Sequence, residues 1–563
     1  MFPRLPWARG PSPRWPLAVI LALGAIARFW NLDWDRGAFM FHPDEAALNQ
    51  AVRHLGPDLN PHFFFYGSLP IYLYRASAEA LRLLTGRDWL ATARIALIGR
   101  TYSALASTAL LVLVYLAGRR LWGPGAGWLA AACAAAAPLL IQAAHFGTID
   151  TAIALAAIAL LWCALQIAAG GGARWYLLAG IVLGLALATK LSAASFLILP
   201  ILAHVLRPRP APAEGARPPA RCHWPLALLL GSAAVTLLLA APYYLLAWPE
   251  LWQAIVIQTD ELSGGYHLPY TWQFIGSIPY LFEARNLLLW GLGPVLGFAA
   301  LGGGLWALQA AIRQRSAPLG LLLAWPTLYL LYIGTWETHF VRYLLPLVPF
   351  YCLYAAGGLA TLATYLAQRG PGPAWAGRAL CAVLVCGAGA WGLGMVSIYT
   401  RPDTRWAASD WIYAHVARRS HWLMEETYLH LPLADAAHPK GWYSRRQQIA
   451  VTAPDTPAKA ADLAQQLAWG EWLAIPDQRW SAVLPRLPNY PLTRRYYALL
   501  FGGQLGYTEV ATFRSPFQWG PVSWPDDQAE ETFQVFDHPT VRILQNRGKL
   551  SAQAIERRLA DLP

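Results

Sequence analysis

The sequence predicts a mostly α-helical, polytopic membrane protein of about eleven transmembrane helices, followed by a soluble α/β domain. Three observations lead there. Charged residues make up only 13% of the 563 residues, against 56% hydrophobic, whereas soluble domains average roughly 25% charged. The deficit is confined to Pro16–Ser397, and Arg401–Pro563 has the composition of an ordinary soluble domain. Finally, the cationic residues concentrate in every second loop between the apolar segments, on one side.

A helix needs about 20 apolar residues to cross a bilayer core. Such segments run over approximately 15–32, 96–117, 124–145, 150–168, 175–189, 191–206, 225–247, 286–308, 317–335, 343–366 and 379–398, of which 175–189 is short. The first segment has the length of a signal peptide. No small-residue cleavage site follows it, so it reads as a retained span. Long loops at 33–95 and 248–285 carry aromatic patches, Phe63-Phe64-Phe65-Tyr66 and Tyr266–Tyr280, suited to a membrane interface. The organisation expected is a membrane domain over 1–399 and a soluble domain over 400–563.

Lys and Arg fix the expected orientation. With the N-terminus cytoplasmic, the inside segments carry Arg4, Arg9, Arg14, Arg119, Arg120, Arg174, Arg207, Arg209, Arg217, Arg221, Arg313, Arg315, Arg369 and Arg378 with a single acid, Glu214. The acids Asp35, Asp44, Glu45, Asp58, Glu79, Asp88, Glu250, Asp260, Glu261 and Glu283 fall on the other side. The formal charge of +12 is therefore an orientation signal, and nucleic acid is not a partner. The location expected is the plasma membrane, with the C-terminal domain extracytoplasmic. The six cysteines show neither metal-ligand spacing nor a disulfide framework.

Chemistry-bearing residues cluster on the outside. His42-Pro43-Asp44-Glu45 reads as a helix start, with Pro at the first position and acids favoured by the dipole. It also puts two carboxylates where a loop leaves the membrane, able to take a proton from an acceptor hydroxyl. At His145-Phe146-Gly147-Thr148-Ile149-Asp150, Thr148 or Asp150 would cap the following helix, which leaves His145 unexplained. Lys190 is the only lysine before Lys440; it suits a helix C-terminus and equally a phosphate. Arg342, within Glu337-Thr338-His339-Phe340-Val341-Arg342, sits at a helix N-terminus where the dipole disfavours a cation, and a bound phosphate would offset that. Asp260, Glu261, Tyr266 and His267, with Tyr66 and Glu337, are candidates for a sugar or acceptor pocket, and a solvated loop explains them as well. No GxxxxGK[ST] loop is present, so nucleotide-driven transport is not supported.

These motifs resemble the GT-C membrane glycosyltransferases, within them the family 39 protein O-mannosyltransferase-like enzymes of bacterial type and their aminoarabinose-transferase relatives. The resemblance runs from Ala27-Arg28-Phe29-Trp30-Asn31-Leu32-Asp33 and His42-Pro43-Asp44-Glu45 through Asn60-Pro61 to Pro70, Arg100 to Arg120, His145 to Asp150 and Lys190, to His339–Pro349. Stretches at Tyr399–Ile412, Tyr496–Gly506 and Asp526–Pro539 are similar to a subset of bacterial members. It implies inverting transfer of a monosaccharide from a polyprenyl-phosphate donor to an extracytoplasmic acceptor, whether glycan, lipid or protein. Asp44 would be the base with Glu45 beside it. Asp150, with His145, would be a second acidic, acceptor or metal position. Lys190, His339 and Arg342 would hold the donor phosphate. No cofactor is required, and a divalent cation at the acids is compatible. Two other readings fit the hydropathy alone: a lipid-linked sugar flippase or transporter, and a non-catalytic membrane scaffold.

Overall fold

The computed structural model describes residues 13–38, 41–208, 223–265, 267–433 and 446–560. The chain forms two compact units. The first comprises Met1–Leu32, Asp44–Tyr266 and Ser277–Val396. The second comprises Asp33–Pro43, His267–Gly276 and Ser397–Pro563, so it recruits one short piece from each long loop.

Among the described residues of the first unit and its continuation, five helical stretches are long and apolar enough to cross a bilayer: Ala93–Trp122, Asp150–Ala168, Pro294–Gln314, Val341–Ala367 and Pro371–His415. The pair Pro124–Ala136 and Pro138–Ala144, bent by 57°, counts as a sixth. The remaining expected spans fall on apolar helices of 10–17 residues: Trp15–Phe29, Ala173–Thr189, Leu191–Leu206, Trp224–Ala240 and Ala317–Ile333. The expected span 286–308 starts late, because Asn286–Gly291 is a π-helical turn and Gly293, at φ 80°, resets the chain before Pro294. Large apolar side chains point outward from these helices, among them Leu239 at 81% exposed and Ile312 at 69%. Such a surface suits lipid rather than water.

The 57° bend has a local cause. Pro138 lacks the N–H that would bond the carbonyl of Ala134 and its ring opposes a straight helix. Arg28 takes over that carbonyl: its guanidinium donates to Ala134 O at 2.9 Å and Ala135 O at 3.1 Å, and also to Ser107 Oγ at 2.7 Å and Gly24 O at 3.0 Å. A fully buried arginine thus ties the first helix to the broken one. Elsewhere helices meet at glycine. A Cβ on Gly180 would lie 1.9 Å from Ser232 Oγ and one on Gly184 2.6 Å from Ala233 O. The small-xxx-small pair therefore lets Ala173–Thr189 approach Trp224–Ala240 closely.

The second unit holds a five-stranded mixed sheet in the order β2-β1-β3-β7-β4. Its strands are β1 (Trp422–Glu425), β2 (Arg446–Ile449), β3 (Trp472–Ile475), β4 (Tyr507–Phe513) and β7 (Val541–Asn546), and β5 (Phe517–Trp519) pairs with β6 (Val522–Trp524) as a hairpin. β1 is parallel to β2 and β3, and β7 is antiparallel to β3 and β4. Side-chain alternation supplies two cores. Leu423, Leu473 and Leu544 face the helices Pro457–Trp469, Pro491–Phe501 and Ala552–Ala560, while Trp422, Met424, Ala474 and Ile543 face Thr404–His415. The helix Thr404–His415 is anchored at its start, where Asp403 accepts from Arg405 N at 2.8 Å.

Candidate functional site

Helix Pro43–His54 begins as the sequence predicts, with Asp44 and Glu45 in its first turn. The two carboxylates point into different surroundings. Glu45 is wholly buried and takes a bidentate pair of hydrogen bonds from Arg100, both at 2.8 Å, plus the Gly147 N–H at 2.8 Å. A Cβ on Gly147 would stand 2.7 Å from Glu45 Oε1, so glycine alone admits that contact. Arg100 also donates to Leu32 O at 2.8 Å. These three hydrogen bonds to Glu45 fix the helix start against the turn at 145–150.

Asp44 lies on the open side. It forms an ion pair with Arg342, and the two side chains are 20% and 24% exposed. The anion that a helix N-terminal arginine calls for is therefore, in this structure, Asp44 itself. Arg342 also stacks over Phe340 at 4.8 Å and Tyr343 at 5.5 Å. Lys190 ends helix Ala173–Thr189 in an extended conformation, and its ammonium lies 5.1 Å over the Tyr343 ring. Asp150, Arg342 and Asp44 all act on that ammonium through space.

Asp150 opens helix Asp150–Ala168 without a side-chain cap; the expected capping by Thr148 or Asp150 is replaced by a bond from Thr148 Oγ1 to Asp150 Oδ2 at 2.9 Å. Tyr66 completes the cluster. Gly67 N–H donates to Thr189 O at 2.9 Å, and a Cβ at Gly67 would stand 1.9 Å from Ala188 O. This glycine seats the Phe63–Tyr66 loop on the helix end that carries Lys190. Burial holds the Tyr66 hydroxyl well above the usual phenol range, reinforced by Asp44 and Asp150 and opposed by Arg342.

The other expected site residues are placed elsewhere. His339 is buried and bonds Glu283 through Nδ1 at 2.5 Å. His145 has its ring nitrogens 2.8 Å from Ile141 O and 2.9 Å from Trp30 O, tying two helix ends. Glu261 acts electrostatically on Tyr343, whereas Asp260 and Glu337 are exposed, and Glu337 N–H donates to Leu262 O at 2.8 Å. His42 and His267 belong to the second unit, where His42 packs on Phe536 at 4.3 Å and His267 is exposed. Tyr266 lies outside the described residues. Among those described, no three His, Cys, Asp or Glu side chains converge as a metal-ligand set. The sequence assigns no role to Arg100, Tyr343, Gly67 and Gly147. An arginine inside an apolar helix was the available signal for the first, and nothing in one sequence marks the others.

The first unit groups Asp44, Arg342, Lys190, Asp150 and Tyr66 at one partly open site. The family described as dolichyl-phosphate-mannose-protein mannosyltransferase matches residues 90–212, the segment carrying Arg100, Gly147, Asp150 and Lys190. The oligosaccharyltransferase of Archaeoglobus fulgidus in its apo form shares the fold at 13% identity and a TM-score of 0.51, over 92% of this chain and 75% of that one. ArnT from Cupriavidus metallidurans bound to undecaprenyl phosphate aligns at 14% identity and a TM-score of 0.45, over 94% and 98%. Arabinofuranosyltransferase AftD from Mycobacteria aligns at 16% identity and a TM-score of 0.41, over 97% and 40%. A comparison with curated proteins finds no match. The chain is a multi-pass membrane protein with the fold of the GT-C glycosyltransferases.

Proposed function

We propose that the protein is an inverting glycosyltransferase of the family 39 type, transferring a monosaccharide from a polyprenyl-phosphate donor to an acceptor hydroxyl or amine on the extracytoplasmic side. The observation that carries this reading is the grouping of one accessible carboxylate, Asp44, with two cations, Arg342 and Lys190, beside an aromatic wall. In the transfer, the acceptor atom bonds to the anomeric carbon as the bond from that carbon to the phosphate oxygen breaks. The acceptor proton passes to Asp44. The donor phosphodiester carries one negative charge and departs as a monoester able to carry two, so charge develops on the leaving group. Fixed cations facing that oxygen favour the transition state over the bound donor.

The Asp44–Arg342 pair gives the order of events. A carboxylate held by a guanidinium is a poor base. A donor phosphate is a bidentate partner that Arg342 binds as readily as a carboxylate, and its arrival frees Asp44 to accept a proton. Glu45 and Arg100 position Asp44 from beneath and touch neither substrate. Asp150 and Tyr66 border the same site and are placed to meet the sugar or the acceptor.

The test is turnover by purified protein in lipid, using polyprenyl-phosphate monosaccharides as donors. Asp44→Asn is expected to lower kcat by about 10²–10⁴-fold, the range for a lost general base, while donor binding persists. Wild-type turnover in that variant rejects the base assignment. Running the assay with and without a chelator decides whether a divalent cation assists the two aspartates. Cysteine labelling from either side of sealed vesicles tests the orientation, with residues 400–563 expected on the extracytoplasmic side of the plasma membrane.

A further inference from the structure

The second unit contains a feature that the transfer chemistry does not use. Its strand order β2-β1-β3 means that the chain leaves β1 for one neighbour and then returns past β1 to the other. Connections diverging from adjacent parallel strands leave a crevice beyond their carboxyl ends, where open α/β sheets bind ligands. The carboxyl ends here are Glu425 and Ile475.

The two loops at that point are joined and furnished with polar groups. Thr427 Oγ1 donates to Asp477 Oδ2 at 2.6 Å, and Trp480 Nε1 donates to Glu426 O at 2.8 Å. Arg479 is 2% exposed and forms a close ion pair with Glu531. Above them the Tyr428 ring is 48% exposed, with Arg479 5.3 Å beneath its centre and the Tyr270 ring edge-on at 6.2 Å.

We propose that this crevice is a binding site for a neutral saccharide, with Tyr428 as the stacking platform for a pyranose ring and Arg479, Glu531 and Glu426 as hydrogen-bonding partners for its hydroxyls. The charge balance selects the class. Glu426, Asp477 and Glu531 outnumber Arg479 and Arg446, so phosphate and nucleotides are disfavoured. Hydroxyls both donate and accept, which suits a mixed carboxylate and guanidinium lining. An aromatic face with polar groups at its rim is the usual composition of a small-molecule site. The inference is independent of the transferase reading of the membrane unit.

The full chain in phosphatidylcholine nanodiscs, free of sugar-based detergent, is titrated with mannotetraose, maltotetraose, cellotetraose and chitotetraose by saturation-transfer NMR. Inorganic phosphate and uridine monophosphate serve as anionic comparators. At least one neutral sugar is expected to bind, and Tyr428→Ala to weaken it roughly tenfold through the lost ring contact. Trp524→Ala, an exposed aromatic on β6, and Asp44→Asn are expected to leave that binding unchanged. Absence of binding by all four sugars, equal affinity in Tyr428→Ala, sensitivity to Asp44→Asn in its place, or preference for the anions would each overturn the proposal.

Discussion

At the scale of single residues, adjacent acids have been given opposite work by their surroundings. Glu45 is buried, paired with Arg100 and hydrogen-bonded to the Gly147 N–H, so its energetics are those of a buried ion pair. Removing one partner strands the other charge. Arg100→Met is expected to cost about 3–5 kcal/mol, read as a fall in the thermal unfolding midpoint of the protein in lipid. Replacing both members, Glu45→Leu with Arg100→Met, should restore part of that loss, leaving about 1–3 kcal/mol for each of the orphaned Gly147 N–H and Leu32 O groups that stays dry. In the proposed reaction Asp44 serves the acceptor instead. Arg342→Ala frees its carboxylate from the ion pair while removing the proposed phosphate ligand, so KM for the donor should rise by at least about tenfold, the effect of losing roughly 1.4 kcal/mol of binding. An unchanged KM in that variant would remove Arg342 from donor recognition.

At the scale of elements, backbone geometry decides where the site residues meet. Gly67→Ala places a methyl group where Ala188 O already stands, so the Phe63–Tyr66 loop must lift from the helix end. Turnover is expected to fall while the helices stay folded, a separation readable by circular dichroism beside the activity assay. The sheet makes a pH prediction. Burial pushes the Glu425 carboxyl up to about 8, against hydrogen bonds from Tyr496 and Tyr497 at 2.9 and 3.0 Å. The folded state therefore holds a proton that the unfolded chain has released, and stability falls as pH rises from about 4.5 to about 8. His538 lies buried between Asp537 and Asp526, and despite the desolvation that opposes its charge these carboxylates raise it to about 10. Its contribution is complete below about 6.5 and is lost between there and about 10. The unfolding midpoint of the second unit should thus decline steadily toward alkaline pH, and Glu425→Gln should flatten the slope between pH 5 and 8, a window set by the same linkage. An identical slope in that variant would show that Glu425 is ionised in the fold.

At the scale of the whole molecule, much was legible in the sequence. Hydropathy located the apolar helices, because a membrane-facing surface needs apolar residues on every outward position. Composition changes near residue 400, and the second compact unit takes up the chain at Ser397. Helix grammar gave the start at Pro43 and put Asp44 and Glu45 in its first turn. The count of spans was less legible: Ala137-Pro138 breaks one helix, Gly293-Pro294 delays another, and several apolar helices are shorter than a bilayer crossing. Composition alone starts the second unit at 400, yet that unit also takes Asp33–Pro43 and His267–Gly276, pieces whose membership depends on contacts with residues hundreds of positions away.

The sequence by itself determined the solvent of each part, the polarity of each helix end and the inventory of ionisable groups, since these follow from local composition and the helix dipole. Only the tertiary structure decided the pairings. It gave Glu45 to Arg100, His339 to Glu283 and Asp44 to Arg342, and it set Lys190 over Tyr343. A buried charge must find a partner, but the identity of that partner depends on which helices pack together, and that is fixed by close approaches at residues such as Gly67, Gly147 and Gly180, whose missing side chains leave no local signal.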